Sequence, residues 1–327
     1  MRVPGSITNR RYMNNYNNSL ARLNKLSDKV SSWRKFDKVS EDPTAAVNAF
    51  LVRDQIAKNE MYETNLKSAK DLLSSAETSA TKVAGSIKLA STNLLKAING
   101  TNATNKEVMA QQLENYRDEI IKTMNNSFSG RYIFSGTKNE APFTLGADGM
   151  LLFNGQSVAT ATSSADFPSN KSVYIDIGLG MKFNGSGEVD PQTALKISTS
   201  GVDFLGFGVD ADGLDNNICN ELTKAAQLLR QNNIDTDECR KYVKKLDEQH
   251  TKVLTGIADL GNRINYIDYN IERLDSDTLN LQQTQNNLEV INPAQAITDM
   301  KTEELSYKTC LQMGSRLIQN SLFDYLK

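Results

Sequence analysis

At 327 residues the chain has room for two or three domains, yet only 39% of it is hydrophobic and 7% aromatic, which is lean for one globule. A net charge of -2 excludes a strongly basic surface over the whole chain, and with it a general affinity for nucleic acid. Three widely spaced cysteines (Cys219, Cys239, Cys310) without a CxxC argue against a disulfide framework or a zinc site, and no run approaches the ~18 apolar residues of a membrane span.

The first residues, Met1 to Thr8, have no apolar stretch of a signal peptide, so the expectation is a soluble protein outside the general secretory route, with export through an uncleaved N-terminus left open. Residues 1–40 hold nine Lys or Arg against Asp28 and Asp37. Tyr16, Leu20, Leu23, Leu26, Val30 and Trp33 form a short helical stripe, marginal in water by itself. The basic positions beside it, among them Arg10, Arg11, Arg22, Lys25, Lys29 and Lys38, suit a solvated face. They also suit a membrane-surface helix or a face that meets acidic neighbours in an assembly. The lack of bulky apolar residues opposite most of them weakens the membrane reading.

From Tyr62 to Leu94 small or apolar residues recur in steps of four and three: Leu66, Ala69, Leu73, Ala76, Ala80, Val83, Ile87, Ala90. The spacing predicts a helix about 50 Å long whose alanines admit a close neighbour, ending at Asn99-Gly100. A further helix carries Leu113, Tyr116, Ile120 and Met124. The middle differs, with thirteen of the 19 glycines between Gly130 and Gly213. Runs at 132–134, 150–153, 173–177 and 195–198 read as strands, with Asp148-Gly149 and Asn154-Gly155 as turns.

The C-terminal half returns to helix. Leu246, Val253, Leu260, Ile267, Leu274, Leu281 and Leu288 stand seven apart, and Ile257, Ile264 and Ile271 fill the second seam. Thr278 and Gln285 interrupt that seam, so packing loosens toward Leu288. Pro293 sets a boundary at Asn292, after which Met300, Tyr307, Leu311, Ile318, Leu322 and Tyr325 mark a last helix. The fold expected is mainly α with a β-rich inserted domain, its N- and C-terminal segments forming a long antiparallel helical bundle or coiled coil. Its domains are 1–43 with 289–327 for assembly, 44–135 with 218–288 as a helical rod, and 136–217 as a β-rich outer domain.

Little in the chain points to chemistry. His250, the single histidine, occupies a heptad position and reads as a packing residue. Asp210-Ala211-Asp212-Gly213 resembles part of a calcium loop, but its glycine comes two places early and no closing glutamate follows, so a turn fits better. Gly178-Leu179-Gly180 and Gly206-Phe207-Gly208 do not have the spacing or the Lys of a phosphate loop. Six Asn-x-Ser/Thr sequons follow from the Asn, Ser and Thr content and are assigned no role.

Three stretches carry a resemblance. They are Leu20-Ala21-Arg22-Leu23-Asn24-Lys25-Leu26 with Val30-Ser31-Ser32 and Ser40-Glu41-Asp42-Pro43; Gly130-Arg131-Tyr132-Ile133-Phe134-Ser135-Gly136-Thr137-Lys138 with Pro142-Phe143; and Asp259-Leu260-Gly261-Asn262-Arg263 on through Asn292-Pro293-Ala294-Gln295-Ala296 to Leu322-Phe323-Asp324-Tyr325-Leu326. With these, the chain resembles the hook-associated protein 3 family of flagellar hook–filament junction proteins, relatives of flagellin. Trp33-Arg34-Lys35 departs from a turn that usually contains Gly in that family, and Lys38-Val39 replaces a more usual Pro-containing step.

The resemblance implies a flagellin-like structural subunit of the bacterial flagellum, not an enzyme, that uses no cofactor or metal. It implies export through the flagellar type III apparatus, with an export chaperone on the C-terminal segment, and an extracellular place in the flagellum. Partners implied are copies of itself in a ring-like layer, a sister hook-associated protein at the hook end and flagellin at the filament end, with no nucleic acid and no membrane insertion. The assembly interface would be Tyr16, Leu20, Leu23, Leu26, Val30, Met300, Tyr307, Leu311, Ile318, Leu322 and Tyr325. The rod core would be Leu66, Leu73, Val83, Ile87, Leu94, Leu246, Val253, Leu260, Ile264, Ile267, Ile271, Leu274, Leu281 and Leu288. Flagellin itself is the alternative, disfavoured because the chain ends Leu322-Phe323-Asp324-Tyr325-Leu326-Lys327 and not in an Ala/Gln-rich run with a Val-Leu-Ser-Leu-Leu type tail. An enzyme in the insertion is disfavoured because 136–217 contains no His and no Cys.

Overall fold

Long helices flank a region of short strands. The computed structural model describes residues 5–99, 103–168, 170–210, 213–231 and 235–323, without the side chains of 5, 6, 103–105 and 316–323. Helices α1 (Gly5–Ser32), α2 (Pro43–Asn99) and α3 (Ala103–Met124) come first. Helices α4 (Gly201–Leu205), α5 (Ile218–Leu229), α6 (Thr236–Glu289) and α7 (Pro293–Phe323) follow the strands. The chain divides into two compact units, one of Met1–Asn59 with Ser276–Lys327 and one of Glu60–Asp275.

The second unit holds the core. On α2, Leu66, Leu73, Ala76, Ala80, Val83, Ile87, Ala90 and Leu94 are buried; on α6, Leu246, Val253, Leu260, Ile267 and Leu274 are buried. Ile257, Ile264 and Ile271 pack half-buried at its edge. Lys70 meets Asp268 at 2.6 Å and Ser91 donates to Asp247 at 3.0 Å, so α2 and α6 run antiparallel. Small residues at α2's contact positions let the helices approach, and dispersion over that seam holds them. α3 and α5 are clamped by Arg230, which donates to Glu107 at 3.2 Å and to Glu114 at 3.0 Å. The Arg230 hydrogen bond holds the Glu114 carboxyl below its ordinary range. Asn217 caps α5, accepting from the Cys219 and Asn220 amides.

The strands form three small antiparallel sheets. β1 (Ser127–Phe128) pairs with β2 (Arg131–Tyr132). Between them, Ser129 and Gly130 lie at φ 48 and 77, the left-handed pair of a two-residue hairpin. β3 (Phe143–Leu145), β4 (Leu151–Phe153) and β5 (Gln156–Ser157) follow in that order, with Asn154-Gly155 as a second left-handed turn. β6 (Tyr174–Asp176) pairs with β7 (Ala194–Lys196). The run 132–134, read as a strand, leaves the ladder after Tyr132 because Ile133 and Phe134 are both buried, which consecutive residues on a one-sided sheet cannot be. Phe143–Phe153, Phe153–Phe167 and Phe167–Phe207 ring contacts at 5.1, 5.4 and 6.1 Å fill the space beneath. Asn125 fixes the start of β3, donating to the Phe143 carbonyl at 2.7 Å and accepting from its N–H at 3.0 Å.

In the first unit, α1 ends where Trp33 takes a φ of 60 while its N–H closes on the Lys29 carbonyl at 2.9 Å. Such a left-handed helix end is usually glycine. The two connectors then pair. Lys35 N–H donates to the Glu289 carbonyl at 2.7 Å and Ile291 N–H to the Trp33 carbonyl at 3.1 Å, an antiparallel bridge of Arg34 with Val290. Asp42 caps α2 by accepting from Ala45 N–H at 2.9 Å, and Asn292 caps α7 by accepting from Ala294 N–H at 3.1 Å. Both helices begin with proline, whose missing donor costs nothing at that position.

Candidate assembly interface

α1 and α7 lie antiparallel. The Tyr16 and Tyr307 hydroxyls are 3.0 Å apart, with ring centroids at 5.4 Å. That hydrogen bond raises the Tyr307 hydroxyl's pKa. One turn on, Ser19 donates to Glu303 at 2.8 Å and Arg22 donates to the same oxygen at 3.1 Å. At the other end Tyr12 lies over Gly314, where a Cβ would stand 2.0 Å from its hydroxyl and displace the ring. On the outside of α7, hydrogen bonds from Lys308 and Lys301 hold the Glu304 carboxyl down at about 2.

Of the positions predicted for assembly, Tyr16, Leu20, Leu23, Leu26, Val30, Met300 and Tyr307 are half-buried along this pair, and Leu311 is 44% exposed. Ile318 and Leu322 have side chains outside the described residues, as does Tyr325 altogether. Of the predicted rod positions, Leu281 and Leu288 are half-buried and belong to the first unit. Sequence reasoning missed Tyr12, Ser19, Glu303 and Gly314. A lone glycine inside a helical pattern with a tyrosine four before Tyr16 is the signal that could have found two of them.

This pair has no core of its own. In the first unit the buried side chains among the described residues are Ser19, Ala46, Ala49 and Asn59, none of them large and apolar. Meanwhile Leu305 (66% exposed), Met313, Ile297, Met13 and Ile7 face solvent. A helix pair joined by two tyrosines and one carboxylate, with leucines and methionines left wet, has apolar area to give to a further neighbour. Arg10 and Arg11 on α1 are exposed.

A groove between α2 and the strands, lined by Ala69, Leu72, Phe128, Tyr132, Ile175 and Ile197, is apolar, with Asp71 and Arg131 at its wall. Among the described residues no group of three His, Cys, Asp or Glu could hold a metal ion, and no helix is long and apolar enough to cross a membrane. His250 is half-buried on α6. Cys219 and Cys239 are buried and free, and burial pushes the Cys219 thiol up to about 12, far from a reactive thiolate. Asp210 makes a turn, its carboxylate accepting from Leu214 N–H at 2.9 Å; Ala211 and Asp212 lie outside the described residues.

Comparison with known proteins gives these features a context. Residues 6–139 match the bacterial flagellin N-terminal helical region. Flagellar hook-associated protein 3 of Salmonella typhimurium is 30% identical over 146 residues, 44% of this chain and 46% of that protein. The chain thus spans about half the length of the curated relatives it matches. Among solved structures, a flagellar hook-associated protein of Vibrio parahaemolyticus superposes with a TM-score of 0.61 at 19% identity, covering 76% of this chain and 100% of that one. A flagellar hook-associated protein 3 of Legionella pneumophila does so with a TM-score of 0.52 at 14% identity, covering 73% and 98%. The chain therefore has the flagellin-like fold, and in sequence it is similar to flagellar hook-associated protein 3.

Proposed function

We propose that the chain is a structural subunit of the bacterial flagellum at the junction between hook and filament, working by interface complementarity and not by a reaction. The observation that carries this is the α1–α7 pair, which holds together through Tyr16, Tyr307, Ser19 and Glu303 but leaves Leu305, Leu311, Met13 and Met313 wet. In a ring-like layer, copies of the pair would bury those side chains against one another. Each fully buried Leu or Met would contribute about 1.5–3 kcal/mol. Residues 1–43 with 289–327 then act as the assembly domain, 44–135 with 218–288 as the rod, and 136–217 as the outer domain. A sister hook-associated protein stands below and flagellin above. The chain reaches that place through the flagellar type III apparatus with its N-terminus uncleaved, escorted by a chaperone on the C-terminal segment. The similarity to hook-associated protein 3 supports the junction over the filament. Immuno-electron microscopy of isolated flagella tests it: label confined to the hook–filament boundary is expected, and label along the whole filament would make the chain a flagellin.

A further inference from the structure

Beneath its Asn217 cap, the first turn of α5 carries an ionisable side chain into the core of the second unit. Glu221 is fully buried, and among the described residues neither of its carboxyl oxygens has a hydrogen-bond partner. The charged groups that act on it come from two elements: Lys245 and Lys252 on α6, and Asp210 and Asp215 in the segment before α5. The cations of this region are paired with other carboxylates or exposed. Lys245 is 2.6 Å from Asp210, Lys224 is 2.6 Å from Asp215, and Lys252 is exposed. Tyr242 of α6 feels both Asp215 and Glu221, and burial drives its hydroxyl up to about 12, so it stays neutral. Arg117 and Asp118 of α3 act on Cys219, two residues before Glu221.

Between Lys245 and Lys252 along α6 stands Gln249, also buried. Its amide nitrogen donates to the Asn216 carbonyl at 3.0 Å, and among the described residues its oxygen accepts no hydrogen bond. With no hydrogen-bond donor reaching it among the described residues, an ionised Glu221 can only accept, whereas its neutral carboxyl brings a donor. Burial accordingly moves Glu221 from an ordinary 4.5 up to about 9.

We propose that Glu221 is a proton latch for α5: the second unit folds with this carboxyl in its acid form, and loss of the proton loosens the packing of α5. The folded state then holds a proton that the unfolded chain releases above its lower pKa. The stability this group contributes is full below that value, falls as pH rises and is gone above the folded value. Over that window a one-proton difference lowers the folding equilibrium constant about tenfold per pH unit.

Glu221→Gln keeps the shape and a donor but cannot ionise. Urea unfolding of the full chain and of this variant, followed between about pH 5 and pH 9, tests the latch. The wild-type folding constant is expected to fall about tenfold per pH unit relative to the variant's. Parallel pH profiles would overturn the proposal. Should the variant fail to fold, infrared spectra of the wild type in heavy water decide. A carboxylic acid C=O stretch present at neutral pH in the folded chain and lost on unfolding supports the latch, and its absence from the folded chain overturns it.

Discussion

A methyl group on Gly201 would come within 2.6 Å of the Phe143 ring and 3.0 Å of the Phe134 side chain. Neither ring can yield, because each is fully buried. Gly201→Ala should therefore destabilise the second unit by about 1–3 kcal/mol, read as a lower urea midpoint at unchanged slope. Trp33 shows the reverse case. Its φ of 60 is strained for any side chain, and the indole is 56% exposed, so little packing repays the strain. Trp33→Gly should stabilise the end of α1 by about 1 kcal/mol, visible as slower amide exchange in the last turn of α1. The unusual residue was visible in the sequence, since Trp33 stands where the resembled family has a glycine-containing turn. That it keeps the left-handed conformation, and does not abolish the turn, depends on the pairing of Arg34 with Val290, which no local pattern announces.

Among the elements, the helices were the most legible. A period of seven over Leu246 to Leu288 states which side of α6 is apolar, and the alternating four-and-three steps do so for α2. The difference between the two ends of α6 follows from the same pattern: the seam is buried through Leu274 and half-open at Leu281 and Leu288, where Thr278 and Gln285 replace the second seam's isoleucines. The short strands were less legible because two or three residues hold no period. Their positions are decided by left-handed turns and by a distant side chain, Asn125, that takes both hydrogen bonds of Phe143. The contrast between buried and wet leucines gives a paired prediction. Leu260→Ala, in the core, should cost about 2–5 kcal/mol in chemical denaturation. Leu305→Ala, 66% exposed, should change stability by less than about 0.5 kcal/mol and weaken incorporation into flagella, scored by filament retention.

At the scale of the whole molecule, the contiguous core lies entirely between Leu66 and Leu274. A chain lacking residues 1–32 should keep the wild-type melting temperature of the second unit yet fail to build a junction. Lowered core melting, or normal incorporation, would contradict that separation. Pairing of the two chain ends could be anticipated from their matching stripes. The boundary between the units could not, because it falls inside α2 and α6, at Asn59–Glu60 and Asp275–Ser276, where no Pro or Gly stands nearby to mark it. The pairing itself was legible only as hydrophobic stripes, since the polar contacts that fix its register, Ser19 and Arg22 on Glu303, carry no periodic signal.

The bridge between Arg34 and Val290 ties the two interruptions of the first unit's helices at one level. Two separate connectors would make two independent joints, each free to swing its own helix. Laced through Lys35 to Glu289 and Ile291 to Trp33, they share one pin. The end of α1 and the start of α7 are thereby tied through the backbone at one point, in addition to the side-chain contacts along their length.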